Sequence, residues 1–162
     1  MKIAICPGSF DPVTIGHYDI IKRASALFDK VIVLVAHNPH KTTAFSVEER
    51  VSMLKKVTAG LDNVEVDSCT GLIAEYARIH EATAIVKGLR AVTDFEYEFQ
   101  MALANKKLYP EAETVFLTTS SENMYLSSSV VKQIALFGGD ISGLVPDILI
   151  DEIKNGLNKI GG

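Results

Sequence analysis

Lys2-Ile3-Ala4-Ile5-Cys6-Pro7-Gly8-Ser9-Phe10-Asp11-Pro12-Val13-Thr14-Ile15-Gly16-His17 reads as a strand, a glycine loop and the opening of a helix. Ile3 to Cys6 is a short apolar run suited to a buried strand. Pro7-Gly8 is expected to end it, because proline removes a ladder donor and glycine permits a tight turn. From about Gly16 the spacing turns helical, with Ile20, Ile21, Ala24, Leu27 and Phe28 on one face. Strand, glycine loop and helix together bring backbone N–H groups and a positive helix end to an anion. His17 falls in the first turn of that helix, where an imidazole can meet a phosphate. The stretch is not a Walker loop, since no Gly-Lys-Ser/Thr follows, and it is not Gly-x-Gly-x-x-Gly.

The same alternation runs on down the chain. Val31 to Ala36 is apolar and β-branched, the mark of a strand covered on both faces. Ser46-Val47-Glu48-Glu49 reads as a capping box opening a helix to about Ala59, stopped at Gly60. Val64 to Val66 is a third strand, Leu72 to Ile79 a helix, and Ala84-Ile85-Val86 a fourth strand followed by Lys87-Gly88-Leu89-Arg90. Thr93 to Glu96 reads as a second capping box, opening a long helix with Phe95, Phe99, Ala102 and Leu103 on one stripe. Thr114 to Thr118 is a fifth strand. Ser127-Ser128-Ser129 then caps a helix carrying Val130, Ile134 and Phe137, closed by Gly138-Gly139. Leu149, Ile153, Leu157 and Ile160 mark a last amphipathic helix. Five β-then-α units imply a Rossmann-like, doubly wound, five-stranded parallel sheet with right-handed crossovers and helices on both faces.

Composition narrows the partners. The chain has 162 residues, 48% of them apolar, and a formal charge of −4, which fits one domain over 1–162. That charge argues against a dedicated nucleic-acid binder, so an anionic ligand must be held by a few placed cations. No apolar run approaches the roughly 18 residues of a membrane span, and with a strand at its start the chain is expected to lack a signal peptide. Cys6 and Cys69 lack CxxC spacing and read as two reduced thiols of a cytoplasmic protein.

Ligands of such sheets bind beyond the carboxyl ends of the strands, where strand order reverses. Ser9 and His17 follow the first strand, Lys41 the second, Lys87 and Arg90 the fourth, and Ser127 to Ser129 the fifth. Three cations, a histidine and two helix N-termini at one sheet edge suit a ligand with several phosphates. Spacing alone names no reaction.

Pro-Gly-Ser-Phe-Asp-Pro-x-Thr-x-Gly-His at 7–17, Lys-Gly-Leu-Arg-Ala-Val-Thr-Asp-Phe-Glu-Tyr-Glu at 87–98 and Ser-Ser-Ser-Val-Val-Lys at 127–132 resemble the bacterial phosphopantetheine adenylyltransferases over essentially the whole chain. The resemblance implies adenylyl transfer from ATP to 4′-phosphopantetheine, giving dephospho-coenzyme A and pyrophosphate, with Mg²⁺ held mainly by ATP and water. It also implies a homohexamer. Carried over by motif, Ser9 touches both substrates, Phe10 lies beside ATP, and His17 is catalytic on its phosphates. Gly88, Leu89, Arg90 and Glu98 meet the nucleotide, and Asn123, Met124, Tyr125, Leu126, Ser127, Ser128 and Ser129 border adenine and triphosphate. Lys41 and Lys87 hold the acceptor phosphate, and Ile73 lines its site. A cationic His17, with Lys41, Arg90 and Mg²⁺, is expected to offset the transition-state charge.

The sequence departs from that family at two places. Position 87 is usually Arg, and Lys keeps the charge without the bidentate fork. Asn123 to Leu126 replaces a stretch that is often aromatic and ends in Ile. Two alternatives share the fold: a related adenylyl- or cytidylyltransferase, and a non-catalytic ATP-binding regulator. The Lys87 to Glu98 motif speaks against the first, and the joint presence of Ser9, His17, Lys41 and Arg90 against the second.

Overall fold

A computed structural model describes residues 1–161, apart from the side chains of Val92 and Thr93. The strands are β1 (Ile3–Gly8), β2 (Lys30–Ala36), β3 (Val64–Cys69), β4 (Ala84–Leu89) and β5 (Glu113–Thr118). The helices are α1 (Ile15–Leu27), α2 (Val47–Thr58), α3 (Ile73–Ile79), α4 (Val92–Leu108), α5 (Ser128–Leu136) and α6 (Ile150–Gly161). All strand pairs are parallel, in the order β3-β2-β1-β4-β5. The expected Rossmann-like architecture is therefore present, with the switch point between β1 and β4.

Pro7 and Gly8 do not end β1, contrary to the expectation, but pair with Leu34 and Val35 of β2. Proline is tolerated here because of the side its nitrogen faces. Ile3 turns its carbonyl towards β4, accepting from Thr83 N–H at 2.8 Å. Backbone groups alternate sides along a strand, so Pro7, of the same parity, lacks a donor on the β4 side only. There the ladder has already lapsed, since β1 and β4 pair only at Ala4↔Ala84 and Ile5↔Ile85. The two central strands part beyond Ile5, and that gap opens the cleft. Lys87, expected just past β4, lies inside it opposite Phe116 of β5.

The alternating side chains of the sheet serve two unequal cores. Ala4, Cys6, Val31, Val33 and Val35 pack under Ile21 and Ala24 of α1, Met53 and Leu54 of α2, Val131 of α5, and Ile153 and Leu157 of α6. On the other face Ile5, Ile32 and Leu34 meet Ala77 and Ala82, with Ile73 and Tyr76 of α3 beside them. Helix α4 packs on α3, β4 and β5.

Helix starts follow their caps where a cap exists. Thr14 and Ser46 each close a capping box, with His17 and Glu49 as the returning partners. The second predicted box took Thr93 as its cap, but the helix starts ahead of that residue. Helix α4 begins after Ala91 without a side-chain cap, and Asp94 instead accepts the Arg90 N–H at 3.3 Å. The Thr93 side chain lies outside the described residues. The predicted stripe of α4 is also not a core face: Phe95, Phe99 and Leu103 remain 43%, 46% and 57% exposed. Leu27, Phe137 and Ile160, each at the last turn of its helix, likewise project to the surface, while Val131 carries the burial of α5.

Candidate active site

The loop after β1 forms the floor of the site. Phe10 takes a positive φ of 49° and turns its ring back under Gly8. A Cβ at Gly8 would stand 3.0 Å from that ring, so any larger residue there would oblige the ring to give way. The Phe10 ring meets the His17 imidazole edge-on, 5.1 Å between centroids.

His17 is oriented by its own helix cap. Its N–H donates to Thr14 Oγ1 at 3.2 Å, and its Nδ1 accepts the Thr14 backbone N–H at 3.0 Å. A backbone amide can only donate, so Nδ1 carries no proton and the ring proton sits on Nε2. Burial, then the Arg90 and Lys87 cations, lower its pKa to about 4. The expectation of a cationic His17 is therefore corrected: it is a neutral donor through Nε2–H.

Two of the cations come with carboxylate partners. Arg90 is held by Asp94, with Nε to Oδ2 at 3.0 Å, and donates from Nη1 to the Leu126 carbonyl at 2.9 Å. Lys87 lies 3.5 Å from Glu98 across from α4. Lys41, exposed at the tip of the loop after β2, is stabilised by a turn in which its N–H bonds the Asn38 carbonyl. At the far wall Ser127 caps α5 by accepting Val130 N–H, and the Ser128 hydroxyl donates to the Pro12 carbonyl at 2.7 Å. The Ser128 proton is thus committed to the β1 loop.

Two adjoining clefts result. The first, about 420 Å³, is lined by Ser9, Phe10, His17, Lys41, Lys87, Gly88, Arg90, Glu98, Asn123, Leu126, Ser127 and Ser128 among others. Leu89, Met124, Tyr125 and Ser129 do not line it, and Met124 and Tyr125 project to the surface. The second, about 340 Å³, contains Ile73 and shares Ser9, Lys41, Lys87 and Glu98 with the first. It also holds Tyr97, Met101, Ala102 and Asn105 of α4. Tyr97, Met101 and Asn105 were missed because the stripe read from sequence was 95, 99, 102 and 103, of which only Ala102 belongs to this face. The equally helical series 97, 98, 101, 102 and 105 is the face that turns to the sheet edge. Asp94, inside the 87–98 motif but read there only as part of a capping box, and Thr119, just past the fifth strand, are also in the lining.

Residues 5–134 match the cytidylyltransferase-like family. A phosphopantetheine adenylyltransferase of Caldanaerobacter subterraneus subsp. tengcongensis is 58% identical over 159 residues, 98% of this chain and 99% of that protein. One from Clostridium novyi is 54% identical over 160 residues, 99% of each. In structure, a Plasmodium falciparum nicotinic acid mononucleotide adenylyltransferase complexed with NaAD superposes with a TM-score of 0.68 at 15% identity, covering 95% of each chain. That likeness concerns the fold. Strand order, the opened switch point and the cation-lined cleft thus define a nucleotidyltransferase of the cytidylyltransferase-like class. Within that class, near-full-length identity above one half sets it among close relatives: the chain belongs to the phosphopantetheine adenylyltransferase family.

Proposed function

We propose that the protein transfers the adenylyl group of ATP to 4′-phosphopantetheine, releasing pyrophosphate and dephospho-coenzyme A. The observation that carries this reading is the wall common to the two clefts: Ser9, Lys41 and Lys87 line both, so an anion in one meets an anion in the other there. ATP occupies the first cleft, with its triphosphate towards His17, Arg90 and the N-terminus of α5. The acceptor occupies the second, its phosphate between Lys41 and Lys87 and its arm along Ile73 and α4.

An acceptor phosphate oxygen attacks the α-phosphorus, and the bond from that phosphorus to the pyrophosphate oxygen breaks. The nucleophile is already an anion at neutral pH, so no base is required. The residues bring two anions together and compensate the charge that grows on the leaving group. His17 contributes an aimed Nε2–H, and Lys41, Lys87 and Arg90 contribute charge. Asp94 and Glu98, the carboxylates in the lining, are each engaged by a cation. Their donor sets therefore fit Mg²⁺ carried by ATP oxygens and water, and the metal supplies further positive charge at the triphosphate when bound.

The same reading places the protein in the cytoplasm as a homohexamer. In this chain the apolar residues left exposed on α4 support self-association. The deciding assay is pyrophosphate release with ATP and each candidate acceptor. Release with 4′-phosphopantetheine and none with nicotinate mononucleotide is expected; the reverse, or no release at all, overturns the proposal.

A further inference from the structure

The motif at 127–132 ends on a lysine that lines neither cleft. Lys132 reaches from α5 to the carboxylate of Asp11, Nζ to Oδ2 at 3.1 Å. That carboxylate is only 6% exposed. It also accepts two backbone N–H groups of the loop before α2, Ala44 onto Oδ2 and Phe45 onto Oδ1, both at 2.9 Å. Asp11 itself follows Ser9 and Phe10, and the Ala44–Phe45 segment follows Lys41 by three residues. Arg50, 1% exposed, fastens the same two loops from below, donating to the Ser9 carbonyl at 2.9 Å and to the Phe45 carbonyl at 3.1 Å.

We propose that Lys132 is a positioning residue: through the buried carboxylate of Asp11 it locks α5, on the nucleotide side, to the loop carrying Lys41, on the acceptor side. Arg50 and Asp11 alone already join the β1 and β2 loops. Lys132 adds the third segment, beside the Ser128 hydroxyl bond to Pro12. A lysine is ordinarily solvated; here it is the cation on a carboxylate otherwise met by neutral amides. Its removal leaves that buried charge short of a partner. The strain falls on both loops that the carboxylate holds, and small displacements of reacting groups are costly to rate. The inference rests on the placement of ATP and acceptor in the two clefts.

The test is steady-state kinetics of pyrophosphate release by Lys132→Met, Lys132→Arg, Asp11→Asn and the double variant Asp11→Asn/Lys132→Met. Activity of the unsubstituted protein with phosphopantetheine checks the functional reading by itself. With that activity in hand, Lys132→Met should lower kcat/KM for phosphopantetheine by roughly 10–100-fold, while KM for ATP stays within about threefold and the fold survives by thermal melting. Lys132→Arg should recover most of the loss. Once Asp11 is neutral, Lys132→Met should cost nothing further, a non-additivity expected of groups in direct contact. Lys56→Met, which removes the α2–α6 surface pair of Lys56 with Glu152 at 2.8 Å, should change neither substrate's kinetics. Unaltered kinetics in Lys132→Met, a KM for ATP that rises as far as that for phosphopantetheine, an arginine variant no better than methionine, or an additive double variant would each overturn the proposal.

Discussion

At the scale of single residues, His17 and Lys87 divide the work differently from what their charges suggest. His17 is neutral, so it offers a directed hydrogen bond to charge that grows during reaction and little to the ground state. His17→Ala should lower kcat by roughly 10²-fold or more and leave ATP binding within a few-fold; a stopped assay and equilibrium binding of an unreactive ATP analogue measure the two. An unchanged kcat would remove His17 from the mechanism. Lys87 lies opposite Glu98, which holds its ammonium before any phosphate arrives. A lost charge-assisted contact costs about 1.5–3 kcal/mol, so Lys87→Ala should weaken phosphopantetheine by roughly ten- to over a hundredfold with a smaller effect on ATP. Lys87→Arg should stay within about tenfold of the parent, because charge returns with an added fork. Varying each substrate in turn decides it, and a Lys87→Ala enzyme with unaltered KM and kcat would sink the assignment.

At the scale of elements, α1 ties catalysis to the start of a helix. The cap that opens α1 uses the lone pair of His17 Nδ1, so the cap exists only while the ring is neutral. The pKa in the fold, about 4, lies below the ordinary imidazole value of 6.5. The unfolded chain therefore binds more protons between those values, and stability rises with pH across that window. The contribution is complete above pH 6.5 and is lost as pH falls towards 4. Thermal melts from pH 4 to 7 should show a decline of Tm on the acid side that is shallower in His17→Ala. Equal slopes in the two proteins would show that the ring does not cap the helix as a neutral acceptor. The motif Thr-x-Gly-His was legible as a helix start; the reciprocal bond that sets the tautomer was not, because it depends on the ring's rotamer in the packed loop.

At the scale of the whole molecule, the two faces of the sheet are covered unequally. Four helices seal one face, while α4 leaves the stripe of Phe95, Phe99 and Leu103 exposed. A row of that kind is unusual on a free surface and suits a contact between copies. Light scattering at micromolar concentration should give a mass several times 17.6 kDa. Phe99→Glu should lower it, since a carboxylate buried between copies would lack a partner. A 17.6 kDa particle for the unsubstituted protein would refute self-association.

The sequence by itself determined the alternation of strands and helices, hence the parallel sheet and the edge where ligands bind. Those follow from local periodicity and from turn and cap residues, which act over a few positions. It also placed Ser9, His17, Lys41, Lys87 and Arg90 at that edge, because each lies at the carboxyl end of a strand or in the segment that follows it. The tertiary structure alone decided where β1 and β4 part, since Pro7 could be read as a strand end until its nitrogen was seen to face the lapsed side of the ladder. It chose the face of α4 that lines the second cleft over an equally helical alternative. It brought Lys132 to Asp11 across 121 positions. Such choices depend on which surfaces are left to cover once the sheet is assembled, and on buried charges finding partners remote in the chain, neither of which local spacing encodes.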